Sequence, residues 1–295
     1  MTKNDKAPKI DIEARHLGGG VVVFEDVINV PTQEIIALID SLSNKSIKDQ
    51  YEYVLDDKGE PSHAVNKSGF IISLDEISSM PIRVQELNHP FFRECEDTAY
   101  KCLMQYIEMF PAILQCLWWK TEGHALKYPI GSSLGFHCDN DVNYKYGQLP
   151  KLENATRNVV SVIVYINSNC DSSDCDELSF SGGEMVIPYF GITVKPKSGT
   201  IIFVPANYLG AHEILEVKSG SRYSYLMWFA QGSPNHELGV SPREPLKKVG
   251  GDIGGQWWMP TLIDDYENYL LDKYSESSNI PFDATFFKLR PDDHK

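Results

Sequence analysis

Two residues with metal-binding side chains, His137 and Asp139, lie one residue apart in the stretch LGFHCDN. Because side chains alternate between the two faces of a β-strand, an extended segment would point His137 and Asp139 the same way and Cys138 the other way. An imidazole and a carboxylate would then converge on one point. The same triplet also occurs as an incidental surface pair, so a metal site requires a third ligand.

The third candidate ligand is His212, which follows the stretch GTIIFVPANYLGA and opens the predicted strand EILEVK. A returning strand could place this histidine opposite His137. Two histidines and one carboxylate are a ligand set for non-haem iron(II), with coordination positions left open for other ligands. Zinc accepts the same set, so the triad alone leaves the metal undecided.

Arg222 follows in the predicted strand RYSYLMWF, with Ser224 two residues further and therefore on the same face. An arginine fork and a hydroxyl suit a carboxylate, because the guanidinium can donate two parallel hydrogen bonds to it. A dicarboxylate could be anchored there at one end while its other end meets the metal. An internal salt bridge of Arg222 is the alternative interpretation.

The elements that must position these residues divide the chain into three parts. Residues 1–117 are predicted to form a strand in GGGVVVFEDVINV and helices in PTQEIIALIDSLSNK and RECEDTAYKCLMQYIEMF, all packing on the core. In residues 118–232, short β-branched and aromatic runs between turn residues predict a β core of about eight strands. Residues 233–295, with a helix in TLIDDYENYLLDKY, would close over the site, pack on the core or form a homodimer.

Charge and composition bear on location and partners. The formal net charge is −14 without a basic cluster, which opposes nucleic acid as a partner. The polar start MTKNDKAPKI and the absence of a long apolar run predict no membrane association and a cytoplasmic location. Reduced cysteines are therefore expected, with Cys170 and Cys175 in a loop rather than in a zinc site.

From about residue 120 to 230 the sequence resembles the prolyl 4-hydroxylase-like branch of the 2-oxoglutarate/iron(II) oxygenases. The resemblance rests on an ordered series of elements: Tyr128 with Gly131, His137-Cys138-Asp139, the run SVIVYIN, Gly182-Gly183-Glu184, the run VKPKSGTIIFVP, His212, Arg222 and Trp228. It implies a mainly β protein with flanking helices, built on a double-stranded β-helix of the jelly-roll or cupin type.

The resemblance also implies cofactors and an activity. The implied cofactors are Fe(II), 2-oxoglutarate as co-substrate and O2, with ascorbate as a candidate reductant. The implied reaction hydroxylates an unactivated C–H bond of a small molecule, an amino acid or a peptide residue and releases succinate and CO2. The implied site residues are the iron ligands His137, Asp139 and His212, the carboxylate receptor Arg222, and the co-substrate pocket residues Tyr128, Ser161 and Ser224.

Departures from the family pattern limit what carries over. Arg222 stands where collagen-type prolyl hydroxylases have a lysine, and Leu134 where an aromatic residue is common, so a peptidyl-proline substrate does not follow. The presence of Asp139 opposes a halogenating relative. An AlkB-type oxidative demethylase is one alternative, although Trp228 occupies the place of that branch's second arginine. A non-catalytic β-barrel binding module is the other alternative.

Overall fold

The structure is a computed structural model that describes residues 12–66, 71–85, 87–117, 119–121, 123–140, 158–171, 175–231, 256–259 and 261–274. The chain divides into two compact units, residues 1–258 and 259–295. Most of the predicted C-terminal extension, 233–295, lies outside the described residues. The predicted helix near the C-terminus is confirmed as α4 (Leu262–Tyr274) in the second unit. None of the described helices is long and apolar enough to cross a bilayer.

The first unit contains the remaining helices and the strands. The helices are α1 (Thr32–Gln50), α2 (Leu74–Ser79) and α3 (Pro90–Met109). The strands are β1 (Ala14–Gly18), β2 (Val21–Phe24), β3 (Tyr51–Leu55), β4 (Pro61–Asn66), β5 (Ile71–Ser73), β6 (Ile82–Val84), β7 (Trp119–Thr121), β8 (His124–Tyr128), β9 (Leu134–His137), β10 (Asn158–Tyr165), β11 (Ser181–Gly182), β12 (Met185–Ile187), β13 (Ile192–Val194), β14 (Ile201–Pro205), β15 (His212–Ile214), β16 (Val217–Ser219), β17 (Arg222–Ala230) and β18 (Gln256–Trp258).

Eight of the described strands form two antiparallel sheets that enclose the core. One sheet contains the neighbours β8, β17, β10 and β14, and the other contains β9, β15, β12 and β13. When these eight strands are counted along the chain, the first sheet has the order first, eighth, third and sixth. The second sheet has the order second, seventh, fourth and fifth. This alternation is the double-stranded β-helix, so the predicted fold is confirmed. The buried cluster between the sheets includes Leu126, Ile163, Met185, Ile202 and Ile214.

The N-terminal elements extend and cover the first sheet. All four residues of β2 are buried, and β2 pairs with β14, which confirms a strand within the predicted segment. Helix α3 ends directly before Phe110 and Pro111, as predicted, because proline cannot continue a helix. Its buried residues include a series spaced every three or four positions, which forms one apolar stripe: Phe92, Cys95, Ala99, Cys102 and Tyr106.

Strand β17 connects this helical layer to the barrel interior through its alternating side chains. The Tyr223 hydroxyl donates to Asp40 of α1 and the Tyr225 hydroxyl donates to Glu96 of α3, each at 2.8 Å. Tyr223 and Tyr225 therefore face the helices. Arg222 and Ser224 alternate with these tyrosines along β17. They therefore face the opposite way, into the barrel.

The expectation of reduced cysteines is wrong for one pair, because the structure joins Cys170 and Cys175 in a disulfide. The two Cα atoms are 5.4 Å apart, within the range that a disulfide spans. Phe180 closes this loop, since the Cys170 backbone N–H donates to its carbonyl oxygen at 2.8 Å. The separation of Cys170 and Cys175 in the sequence did not show that their side chains lie close together.

Asn167 joins three backbone segments around the start of β17, and we expect it to stabilise the fold. Its buried amide donates to the carbonyl oxygens of Leu178 and Ser221 and accepts from the Tyr223 backbone N–H. An Asn167→Ala variant leaves these buried groups unpaired, so its free energy of unfolding should fall by about 3 kcal/mol in urea titrations. Asn169→Ala, which removes one described bond to Gly182, should cost about 1 kcal/mol. Equal losses of the free energy of unfolding in Asn167→Ala and Asn169→Ala would contradict this role of Asn167.

Candidate metal centre

The two histidines meet because β9 and β15 are neighbours. In the register of this antiparallel pair, His137 lies directly opposite His212. Their ring centroids are 4.5 Å apart. One cross-strand pair thus brings together residues that are far apart in the sequence.

Asp139 completes the group from the turn after β9. Its Oδ1 lies 3.3 Å from Nε2 of His137. Ligand atoms of His137, Asp139 and His212 all lie within 4.8 Å of one another, which suits a single metal ion. The structure therefore brings the three predicted ligands together. The predicted geometry was wrong in one respect, because β9 ends at His137 and Asp139 lies beyond it rather than within the strand.

Backbone carbonyl groups fix the orientation of both imidazoles. Nδ1 of His137 lies 2.7 Å from the carbonyl oxygen of Gly135, and Nδ1 of His212 lies 3.0 Å from that of Gly210. A carbonyl oxygen only accepts, so each Nδ1 carries the proton. In the neutral ring the lone pair is then on Nε2, the atom that would bind a metal.

The local electrostatics favour a cation. Burial lowers the pKa of His212, against the opposite effect of the Asp139 charge, so this imidazole is neutral near pH 7. Burial raises the pKa of Asp139, but its interactions with His137 and His212 and the hydrogen bond from Ser161 outweigh this effect, and the net pKa is well below its usual range. An ionised carboxylate and a neutral imidazole are the protonation states that metal binding requires.

Arg222 lies deep in the barrel, on the face of β17 that points inward. Only 1% of its surface is exposed, and its register partner in β8 is Tyr128. The guanidinium carbon lies 4.7 Å from the ring centroid of Tyr128 and 5.1 Å from that of Tyr165, whose hydroxyl accepts from Nη2 at 3.3 Å. Both rings therefore cover the charge.

The polar atoms around Arg222 are incompletely paired. Its Nε and Nη1 and the buried Ser224 hydroxyl have no hydrogen-bond partner among the described residues. No ion pair of Arg222 occurs among those residues either, so the internal salt bridge considered above is not observed. Burying a charge and leaving donors unpaired is costly, and an anionic ligand would remove that cost. The chemistry of this pocket therefore fits the far carboxylate of 2-oxoglutarate.

The other predicted site residues lie around these two centres. Tyr128 covers the guanidinium of Arg222, whereas the Ser161 hydroxyl donates to Oδ2 of Asp139. A pocket-lining role for Ser161 stays a prediction. Tyr165 was not singled out in the sequence, although it lies four residues after Ser161 in the same strand and thus on the same face.

The Gly182-Gly183 pair lies against β16 and the side chain of Arg222. Both glycines have positive φ, of 70° and 64°. A Cβ on Gly182 would lie 2.3 Å from the carbonyl oxygen of Glu216, and one on Gly183 would lie 3.2 Å from Cδ of Arg222. Glycine is needed here both for the backbone conformation and for the close approach.

Comparison with known proteins identifies the core. Residues 123–230 match the family model described as the 2OG-Fe(II) oxygenase superfamily. The core of this chain is therefore similar to members of this superfamily. The matched segment includes all eight core strands and every predicted site residue. The resemblance to the prolyl 4-hydroxylase-like branch is thereby confirmed.

Curated relatives of this chain include bacterial PKHD-type hydroxylases. It is 30% identical over 156 residues to the one from Xanthomonas campestris pv. campestris strain 8004. It is 29% identical over 153 residues to that of Xanthomonas axonopodis pv. citri strain 306. Each alignment covers 49% of this chain and 60% of the relative, so the chain spans less than two thirds of the relatives it matches.

Solved structures of similar proteins include two prolyl hydroxylases. The viral collagen prolyl hydroxylase of Paramecium Bursaria Chlorella virus-1, in its 2OG complex, is 17% identical, with 73% of this chain and 98% of that chain covered and a TM-score of 0.43. The Trichoplax adhaerens prolyl hydroxylase, in complex with a hypoxia inducible factor peptide fragment, is 15% identical, with 72% and 84% covered and a TM-score of 0.45.

We expect Mn²⁺, as a redox-stable substitute for Fe(II), to stabilise the protein through the triad. At a free concentration 100 times its Kd, Mn²⁺ should raise the free energy of unfolding by about 2.7 kcal/mol. His212→Ala should largely remove this gain, because His212 is one of the three ligands. Denaturant titrations with and without Mn²⁺ measure it. His63→Ala, on the peripheral strand β4, is the control and should keep the full gain. A full gain in His212→Ala would exclude this site.

Proposed function

We propose that this protein is an Fe(II)- and 2-oxoglutarate-dependent dioxygenase. It hydroxylates an unactivated C–H bond of a small molecule, an amino acid or a peptidyl residue, with release of succinate and CO2. The observation that carries the proposal is the buried guanidinium of Arg222, whose Nε and Nη1 have no partner among the described residues. It lies inside the same barrel as the triad of His137, Asp139 and His212.

The triad would hold the iron. Nε2 of each histidine and Oδ1 of Asp139 are the atoms directed toward one another and left for a metal by the surrounding hydrogen bonds. Zinc accepts the same donors, but a zinc site gives no role to a buried carboxylate receptor nearby. Bound Fe(II), with 2-oxoglutarate and O2, supplies the oxidant for the C–H bond.

Arg222 would hold the far carboxylate of 2-oxoglutarate. Nε and Nη1, which have no partner among the described residues, remain available to donate hydrogen bonds to a carboxylate. The rings of Tyr128 and Tyr165 exclude water from the guanidinium and stabilise its charge through cation–π contacts. The Ser224 hydroxyl, buried on the same face, is available as a further donor.

The two alternative functions are less well supported. In an AlkB-type demethylase a second arginine is expected near the end of β17, whereas Trp228 occupies that place and its indole N–H donates to Asp139. The net charge of −14 also opposes a nucleic acid partner. A non-catalytic barrel would have no need for a metal-binding triad together with a buried arginine whose Nε and Nη1 lack partners among the described residues.

Several finer assignments stay predictions. They are a cytoplasmic location, ascorbate as reductant, a homodimer formed through residues 233–295, and the part boundaries at 117/118 and 232/233. The identity of the substrate is open. Succinate release by the Fe(II)-loaded protein, screened across amino acids, metabolites and proline-containing peptides, should identify it, with mass analysis for one added oxygen atom in the product.

Arg222 variants should separate co-substrate binding from metal binding. Two hydrogen bonds to a charged group contribute roughly 1.5–3 kcal/mol each, so Arg222→Met should weaken 2-oxoglutarate binding to the Mn²⁺-loaded protein by about 100-fold or more. Arg222→Lys keeps the charge but not the fork and should lose less. Affinity for Mn²⁺ alone should not change. Calorimetric titration measures both constants.

Lys127→Met is the matched control for Arg222→Met. Lys127 lies next to Tyr128 on β8, but its ammonium pairs with Asp40 at 2.8 Å on the outer face of the sheet. Its removal should leave 2-oxoglutarate binding unchanged. If Arg222→Met bound 2-oxoglutarate as tightly as the wild type, Arg222 would not be the carboxylate receptor.

A further inference from the structure

The two carboxylate oxygens of Asp139 lie in different surroundings. Oδ2 accepts two hydrogen bonds from the protein, one from the Ser161 hydroxyl and one from the Trp228 indole N–H at 3.0 Å. Oδ1 instead lies 3.3 Å from Nε2 of His137, on the side where the three candidate ligands converge. One oxygen is thus held by the barrel and the other is left facing the metal position.

The two donors are rigidly placed by the sheet. Ser161 in β10 and Trp228 in β17 are register partners, and both are buried. The Trp228 backbone N–H donates to the Thr121 hydroxyl at 3.0 Å, and the indole packs against the His124 ring at a centroid distance of 5.4 Å. The sheet therefore fixes the backbone of both donors.

The backbone around Asp139 is held by β10 and by the residue that follows β14. The Asn158 side-chain amide, at the start of β10, donates to the Asp139 carbonyl oxygen at 3.0 Å. The Asn140 backbone N–H donates to the carbonyl oxygen of Ala206 at 3.0 Å. Asp139 lies beyond the end of β9, so these contacts and the two donors to Oδ2 replace the strand pairing that would otherwise fix its position.

We propose that Ser161 and Trp228 are positioning residues that reserve Oδ2 of Asp139 for the protein, so that Asp139 binds the metal through Oδ1 alone. The proposal rests on the metal site of the proposed function. Binding through one oxygen leaves open a coordination position that binding through two would fill, and the proposed reaction needs open positions for co-substrate and O2. Hydrogen bonds to a ligating carboxylate also orient it and raise metal affinity.

Metal titration of the full chain tests the proposal. Trp228→Phe removes the indole N–H and Ser161→Ala removes the hydroxyl, and we prepare each change alone and both together. Loss of such outer hydrogen bonds typically costs 10- to 100-fold in metal affinity. The double variant should therefore bind Mn²⁺ on the order of 10–100-fold more weakly than wild type in calorimetric titration, with each single variant in between.

A spectroscopic signature separates positioning from a general structural effect. The d–d absorption spectrum of the Co²⁺-loaded protein depends on coordination number and geometry, so it should change in the double variant if Oδ2 joins the metal. Trp119→Phe is the matched control, since Trp119 is a buried tryptophan of the neighbouring strand β7 whose indole nitrogen has no partner among the described residues. Its Mn²⁺ affinity and Co²⁺ spectrum should equal those of wild type.

The outcomes distinguish this proposal from the function on which it rests. If wild type binds Mn²⁺ and the double variant has equal Mn²⁺ affinity and an identical Co²⁺ spectrum, the proposed role of Ser161 and Trp228 is overturned. The assignment of the metal site then stands. An equal loss of Mn²⁺ affinity in Trp119→Phe would also overturn the role of Ser161 and Trp228. Wild type that binds no Mn²⁺ would overturn both. Should the double variant fail to fold, the two single variants decide by the same criteria.

Discussion

The antiparallel pairing of β9 with β15 is the constraint on which the rest of the site depends. It sets His137 opposite His212, and the ring centroids approach to 4.5 Å. A slip of one residue in this register would turn one histidine to the outer face of the sheet and separate the pair. The apolar residues of the inner face, such as Leu134 and Ile214, oppose such a slip because it would expose them. The metal geometry and the core packing therefore depend on the same register.

Strand β17 supplies the second half of the site, because its side chains alternate between the inside and the outside of the barrel. Its inward side chains include Arg222, which the Tyr128 and Tyr165 rings cover, and Trp228, which contacts Asp139. Its outward side chains Tyr223 and Tyr225 bond to the helical layer. One strand thus fixes the proposed co-substrate anchor and a metal ligand relative to each other, and the helices hold that strand from outside.

Much of this arrangement could be predicted from the sequence because the patterns that indicate it lie within short segments. Residue types and their order predicted the triad and Arg222, and the short β-branched runs predicted the strands. Contacts between distant segments could not be predicted. Tyr165 reaches Arg222, and Trp228 reaches Asp139, only through the register of β10, β17 and the turn after β9. The position of Asp139 beyond its strand and the proximity of Cys170 to Cys175 likewise have no recognisable pattern in the sequence.

The most direct test of the central claim is an anaerobic absorption titration of the Fe(II)-loaded protein with 2-oxoglutarate. Chelation of Fe(II) by the keto acid produces a visible charge-transfer band, which neither component shows when simply mixed at the same dilute concentrations. The account predicts that this band appears and saturates at one equivalent of 2-oxoglutarate per protein chain. A protein that binds Fe(II) but develops no band at saturating 2-oxoglutarate would contradict it.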